Sequence, residues 1–91
     1  MTKVARHVSV SGRVQGVFFR AWTEQQAERL AVGGWVRNCA DGSVEAHLEG
    51  EESAVNWLID LIGDGPPGAR VANVRVRESE LEGSQTFEVK R

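Results

Sequence analysis

Ninety-one residues, 41% hydrophobic and 26% charged, suit one globular domain over residues 1–91, too short for a second core and unlike a disordered chain. Thirteen acidic against eleven basic residues leave a formal net charge of −2, which creates no broad pull toward nucleic acid or an anionic membrane. Any anion must then be held by a local site. Cys39 is the only cysteine, so no internal disulfide can form, and the N-terminal MTKVARHVSV lacks the apolar run of a signal peptide. No stretch approaches the ~20 apolar residues of a membrane span. The expectation is a cytoplasmic monomer.

In chain order, KVARHVSVSGR alternates, with Val4, Val8 and Val10 on one face and Ala5, His7, Ser9 and Ser11 on the other. That pattern predicts a half-buried strand ending in the turn after Gly12. From Arg20 or Ala21 to Ala31 the period becomes helical, with Thr23, Ala27, Leu30 and Ala31 on one face. Thr23 and Gln26 have capping-box spacing, although Thr23 equally fits inside a helix begun at Arg20. Gly33 and Gly34 are the expected helix stop. WVRNCADGSVEAHLEG reads as a hairpin about Asp41-Gly42, with Val36, Asn38 and Ala40 sharing one face of its first strand and Val44, Ala46 and Leu48 one face of its second. A second helix is predicted from about Glu51 to Ile62, and GDGPPGA is a loop. RVANVRVRE and QTFEVKR supply the last one or two strands, with Val74, Val76, Phe87 and Val89 inward.

The order βαββαβ predicts an α+β fold, an antiparallel sheet with both helices on one face. In its split βαβ arrangement the first two strands run parallel with the third between them. The end of the first strand and the end of the second, near Asn38, then meet at one sheet edge. Arg20 and Asn38 can face one pocket.

Backbone N–H groups around the turn from Arg13 to Phe18 can converge on an anion, and the following helix N-terminus adds a positive field. Gly16 permits backbone conformations closed to other residues, and the Arg20 guanidinium can grip two phosphate oxygens. A glycine turn with an ordinary surface arginine is the bland alternative. The turn lacks the Lys-Ser/Thr pair of a nucleotide–magnesium loop, and no cysteine sits near Arg20 as a nucleophile. His7 and His47, both on the open face, lack a carboxylate at ligand spacing, so no metal site is expected. An anion cradle, an arginine and an asparagine suit a phosphoryl compound whose leaving group needs no proton. A carboxylate, whose acid has a pKa of roughly 4, is such a group. Positioning and charge neutralisation then suffice, and Asn38 can both accept from and donate to a water.

GRVQGVFFR followed by GWVRNCADGSVE, with GPPGARVANV later, resembles the acylphosphatase family over nearly the whole chain. The resemblance implies a ferredoxin-like βαββαβ sandwich that hydrolyses small acyl phosphates to a carboxylate and inorganic phosphate, without metal or cofactor. It implies that Arg20 binds phosphate and Asn38 orients water. The backbone of Gln15, Gly16, Val17, Phe18 and Phe19 would form the cradle, and the substrate's own phosphate would serve as base. One departure stands out: Ala31 occupies a position where the family commonly has glycine. Trp35 and Trp57 read as packing or surface cover, Arg37 as a member of a surface ion pair, and Arg70, Arg75 and Arg77 as solvated strand positions. The competing reading is a non-catalytic ferredoxin-like module binding an anion or single-stranded RNA. Against RNA stands an open face of His7, Ser9, Ser11, Glu45, His47 and Glu49, acidic and without an aromatic pair.

Overall fold

The computed structural model describes residues 2–90. In chain order it contains β1 (Lys3–Arg13), α1 (Phe19–Arg29), β2 (Gly33–Asn38), β3 (Val44–Glu51), α2 (Glu52–Asp64), β4 (Arg70–Glu78) and β5 (Phe87–Val89). The five strands form one sheet in the order β4-β1-β3-β2-β5. β3 pairs antiparallel with both β1 and β2, so β1 and β2 run parallel on either side of it. The sheet is not wholly antiparallel as expected, because the short edge strand β5 runs parallel to β2. Residues 79–86 cause this: they carry the chain from one sheet edge to the other, so β5 enters from the same end as β2.

The core lies between one sheet face and the two helices. Val8, Val10, Val36, Val44, Ala46 and Leu48 meet Phe19 and Ala27 of α1 and Val55, Leu58 and Ile62 of α2. These are the alternating strand positions and the helical stripes legible in the sequence. Burying each Val, Leu, Ile or Phe contributes about 1.5–3 kcal/mol relative to exposure. Thr23 is buried among them, and its hydroxyl donates to the Phe19 carbonyl at 2.8 Å. It therefore sits inside α1 and is not a cap.

Two boundaries differ from expectation. Gly33 and Gly34 do not stop α1; they belong to β2, and the helix has ended at Arg29. The Val32 N–H donates to the Ala27 carbonyl at 2.9 Å and the Ala31 N–H to Glu28 at 3.3 Å. This is the paired bonding of a Schellman ending, which requires its first non-helical residue to be left-handed. Ala31 fills that position with φ of 57°. Gly33 is needed for a different reason: a Cβ there would lie 2.3 Å from the Ser84 carbonyl oxygen.

The face away from the helices is not open as expected. Residues 79–86 cross part of it as a strap. The Ser79 N–H donates to the Ala5 carbonyl and the Gly34 N–H to the Thr86 carbonyl. Beneath the strap His47 and Glu49 are only 1% and 2% exposed. Trp35 shares this side of the sheet and stacks on His47 with ring centroids 6.2 Å apart. Lys90 Nζ lies 4.8 Å from the Trp35 ring centroid, and Arg37 pairs with Glu45.

A left-handed backbone penalises a Cβ, whereas glycine adopts it freely. Ala31→Gly should therefore stabilise the fold by about 0.5–1 kcal/mol, net of glycine's greater freedom when unfolded. Urea unfolding should show a higher midpoint with an unchanged slope.

Candidate active site

β1 and β2 finish at the same end of the sheet, where the segment joining β1 to α1 also lies. A cavity of about 380 Å³ opens there. Gln15, Gly16, Phe18, Phe19, Arg20 and Asn38 line it together with Val14, Ala21 and Val89. Arg20 and Asn38, 18 positions apart in sequence, thus border one pocket. Val17 stands apart from the other cradle residues: its side chain packs against the core cluster and does not line the cavity.

The loop explains the positive character of this cavity. Gly16 has φ of 75° with no atom within 4 Å of a would-be Cβ, so backbone conformation and not space calls for glycine. The first helical bond of α1 runs from the Trp22 N–H to the Phe18 carbonyl. The N–H groups of Phe19, Arg20 and Ala21 consequently have no partner within the helix. All three residues border the cavity, and the helix dipole adds to their field. Arg20 carries the only charge among the described lining residues. One pole of the cavity is therefore positive, bordered by a guanidinium and by amides without a partner in the helix.

Two constraints fix that pole, and sequence patterning reveals neither. The Gln15 side-chain amide donates to the carbonyls of Cys39 and Ser43, both at 2.9 Å. These carbonyls lie on the β2–β3 hairpin just beyond Asn38. The hairpin is closed by the Cys39 N–H on the Ser43 carbonyl and by Asp41, whose carboxylate accepts from the Ser43 N–H and hydroxyl. Those Ser43 bonds hold the Asp41 carboxyl below its ordinary value. Gln15 was expected to offer its backbone; its side chain also ties the loop to the strand bearing Asn38.

The second constraint comes from the C-terminal strand. Arg20 donates to the Lys90 carbonyl at 2.9 Å, and the Lys90 N–H donates to the Val36 carbonyl at 2.8 Å. The residue just after β5 thus holds one nitrogen of the guanidinium, while Val89 of β5 lines the cavity.

β5 reaches that position by way of the strap, and the strap is clamped by Glu49. The Glu49 carboxylate accepts from the Glu82 N–H at 2.7 Å, the Gly83 N–H at 3.1 Å and His47 Nε2 at 2.6 Å. Burial pushes the Glu49 carboxyl up, but the His47 bond and charge and the two backbone donors outweigh it and hold the group below its usual value. His47, Glu49 and Glu82 lie close enough to suggest a metal site. The clamp describes them better, since both Glu49 oxygens already accept from N–H donors.

The fold is thus a ferredoxin-like βαββαβ sandwich with a cavity at the shared end of its parallel strands β1 and β2. A family model described as acylphosphatase matches residues 6–89. The chain is 56% identical to the acylphosphatase of Rubrobacter xylanophilus over 91% of this chain and 76% of that one. It is 52% identical to the acylphosphatase of Gloeobacter violaceus, covering 99% and 97% of the two chains. The crystal structure of acylphosphatase from Bacillus subtilis superposes with a TM-score of 0.94 at 36% identity, covering 97% of this chain and 99% of that one. The chain belongs to the acylphosphatase family of hydrolases.

The clamp sets the direction of a pH dependence. A carboxyl whose folded-state pKa is depressed stabilises the fold above its unfolded value, and that contribution is lost as pH falls through the folded value. Wild type should lose stability as pH drops through and below about 4. Glu49→Gln should flatten that dependence and cost about 1–3 kcal/mol at neutral pH, because one amide oxygen cannot satisfy three donors. Urea unfolding at pH 7 and at acid pH measures both effects, and hydrogen exchange at Glu82 and Gly83 should quicken.

Proposed function

We propose that Arg20 and the backbone N–H groups of the segment from Gln15 to Phe19 bind the phosphoryl group of a small acyl phosphate, while Asn38 orients the attacking water. The observation that carries this reading is the single cavity bordered by both Arg20 and Asn38. The water oxygen bonds to phosphorus, the bond from phosphorus to the acyl oxygen breaks, and the electron pair leaves with the carboxylate. The water protons pass to the oxygens of the phosphoryl group, giving inorganic phosphate.

Each residue has a role that its chemistry allows. Arg20 neutralises charge that spreads over the phosphoryl oxygens, and Lys90 holds one of its nitrogens. The N–H groups of the loop and first helical turn are preorganised donors, so they need no reorientation as the transition state forms. The Asn38 amide accepts a hydrogen bond from water through its oxygen and donates through its nitrogen. A side-chain acid is unnecessary, because a carboxylate leaves without a proton. Metal ions and organic cofactors have no part in this reading. The chain is taken to act as a monomer in the reducing cytoplasm, a reading supported by its single, half-buried Cys39.

Asn38→Ala should keep the fold and phosphate affinity but lose turnover, since water placement matters chiefly in the transition state. In the same assay Arg20→Ala should weaken phosphate binding and slow turnover by on the order of a hundredfold or more. Phosphate release from benzoyl phosphate in EDTA, with an aryl phosphate monoester as control, measures the reaction. Full activity in the Asn38 variant would overturn its assigned role.

A further inference from the structure

Phe18 combines three costly features. The residue is 86% exposed, its backbone is left-handed with φ of 59° and ψ of 26°, and it occupies the α1 N-cap without a side-chain capping bond. Left-handed backbone favours glycine or asparagine, and an N-cap favours a short polar side chain. Glycine at position 18 would remove the strain, and it would also remove the exposed apolar surface. The neighbouring Phe19 shows what an ordinary aromatic does here: it is buried and packs edge-on against Trp22 with centroids 5.7 Å apart. No aromatic partner of Phe18 occurs among the described residues. Strained backbone that persists at a site boundary is commonly part of the site's function.

The position of Phe18 indicates what the ring is for. It lines the same cavity as Arg20 and Asn38, and its exposure places it at the rim. Phosphate bound by the guanidinium and the loop amides sits at the polar end, so the acyl group of a bound acyl phosphate must extend toward the mouth. Ala21 and Val89 add apolar surface to that cavity. We propose that Phe18 is the specificity-determining residue for the acyl group, and that the preferred substrates are acyl phosphates with an aromatic or extended apolar acyl part. The inference rests on the acylphosphatase reading of the site and adds the substrate class. Ring and acyl group shield each other from water in the complex, and an aromatic acyl group gains further from offset or edge-on packing.

The test is the ratio of kcat/KM for benzoyl phosphate to that for acetyl phosphate, compared between wild type and variants. Intrinsic reactivity differs between the two substrates but cancels when one ratio is divided by the other. Phe18→Ala and Phe18→Gly should each lower the ratio about fivefold or more, chiefly through KM for benzoyl phosphate. Phe18→Gly suits the left-handed backbone, so its result does not hinge on a folding defect. Phe18→Trp should restore the ratio to within about twofold of wild type, since it keeps an aromatic face. An unchanged ratio in Phe18→Gly would overturn the inference, as would an equal fall on both substrates. Failure of wild type to hydrolyse either compound would instead overturn the catalytic reading, and this inference with it.

Discussion

The hydrogen bond from Arg20 to the Lys90 carbonyl joins the first turn of α1 to the end of the chain. A guanidinium at a helix N-terminus is repelled by the helix dipole and would otherwise swing into solvent. Lys90 can hold it only because β5 is registered against β2, with the Lys90 N–H on Val36. β5 in turn depends on a strap that crosses the sheet and is clamped by a buried carboxylate. A run of hydrogen bonds and chain thus connects a charge at the site to a polar cluster on the opposite sheet face. The link is mechanical: it passes through chain connectivity and backbone hydrogen bonds.

The same economy of contacts explains how a chain with a net charge of −2 can present a positive cavity. Attraction comes from groups that no negative residue offsets locally, namely Arg20 and the leading N–H groups of α1. The loop is kept open by Gly16 and by the Gln15 amide, whose two bonds to the β2–β3 hairpin hold the loop beside Asn38. An acyl phosphate carries an activated leaving group, so accurate placement does most of what the reaction needs.

The elements were largely legible because their cause is local. Alternation in KVARHVSVSGR and the stripe of Val55, Leu58 and Ile62 report which side is buried, and the core uses those residues. The prediction erred where burial came from a partner distant in sequence. Glu45, His47 and Glu49 read as one solvated acidic face, yet the strap from residues 79–86 buries His47 and Glu49 and turns them into a clamp. Gly33 and Gly34 read as a helix stop because glycine commonly follows a helix. The helix instead ends at Arg29, with Ala31 taking the left-handed position.

By itself the sequence determined the βαββαβ order, most of the inward faces (Val76, read as inward, is exposed, and Ala5, read as outward, is buried), and the pairing of Arg20 with Asn38 through the split βαβ topology and the motif that carries the resemblance. These follow from periodicity, turn chemistry and chain connectivity, which act over a few residues or through the order of elements. Only the tertiary structure decided how the site is held. The Gln15 side chain spans 24 and 28 positions to the hairpin carbonyls, and Arg20 spans 70 positions to Lys90. Contacts of this kind are set by where the packed sheet brings backbone carbonyls, and a carbonyl is present at every residue. No residue type marks them in advance.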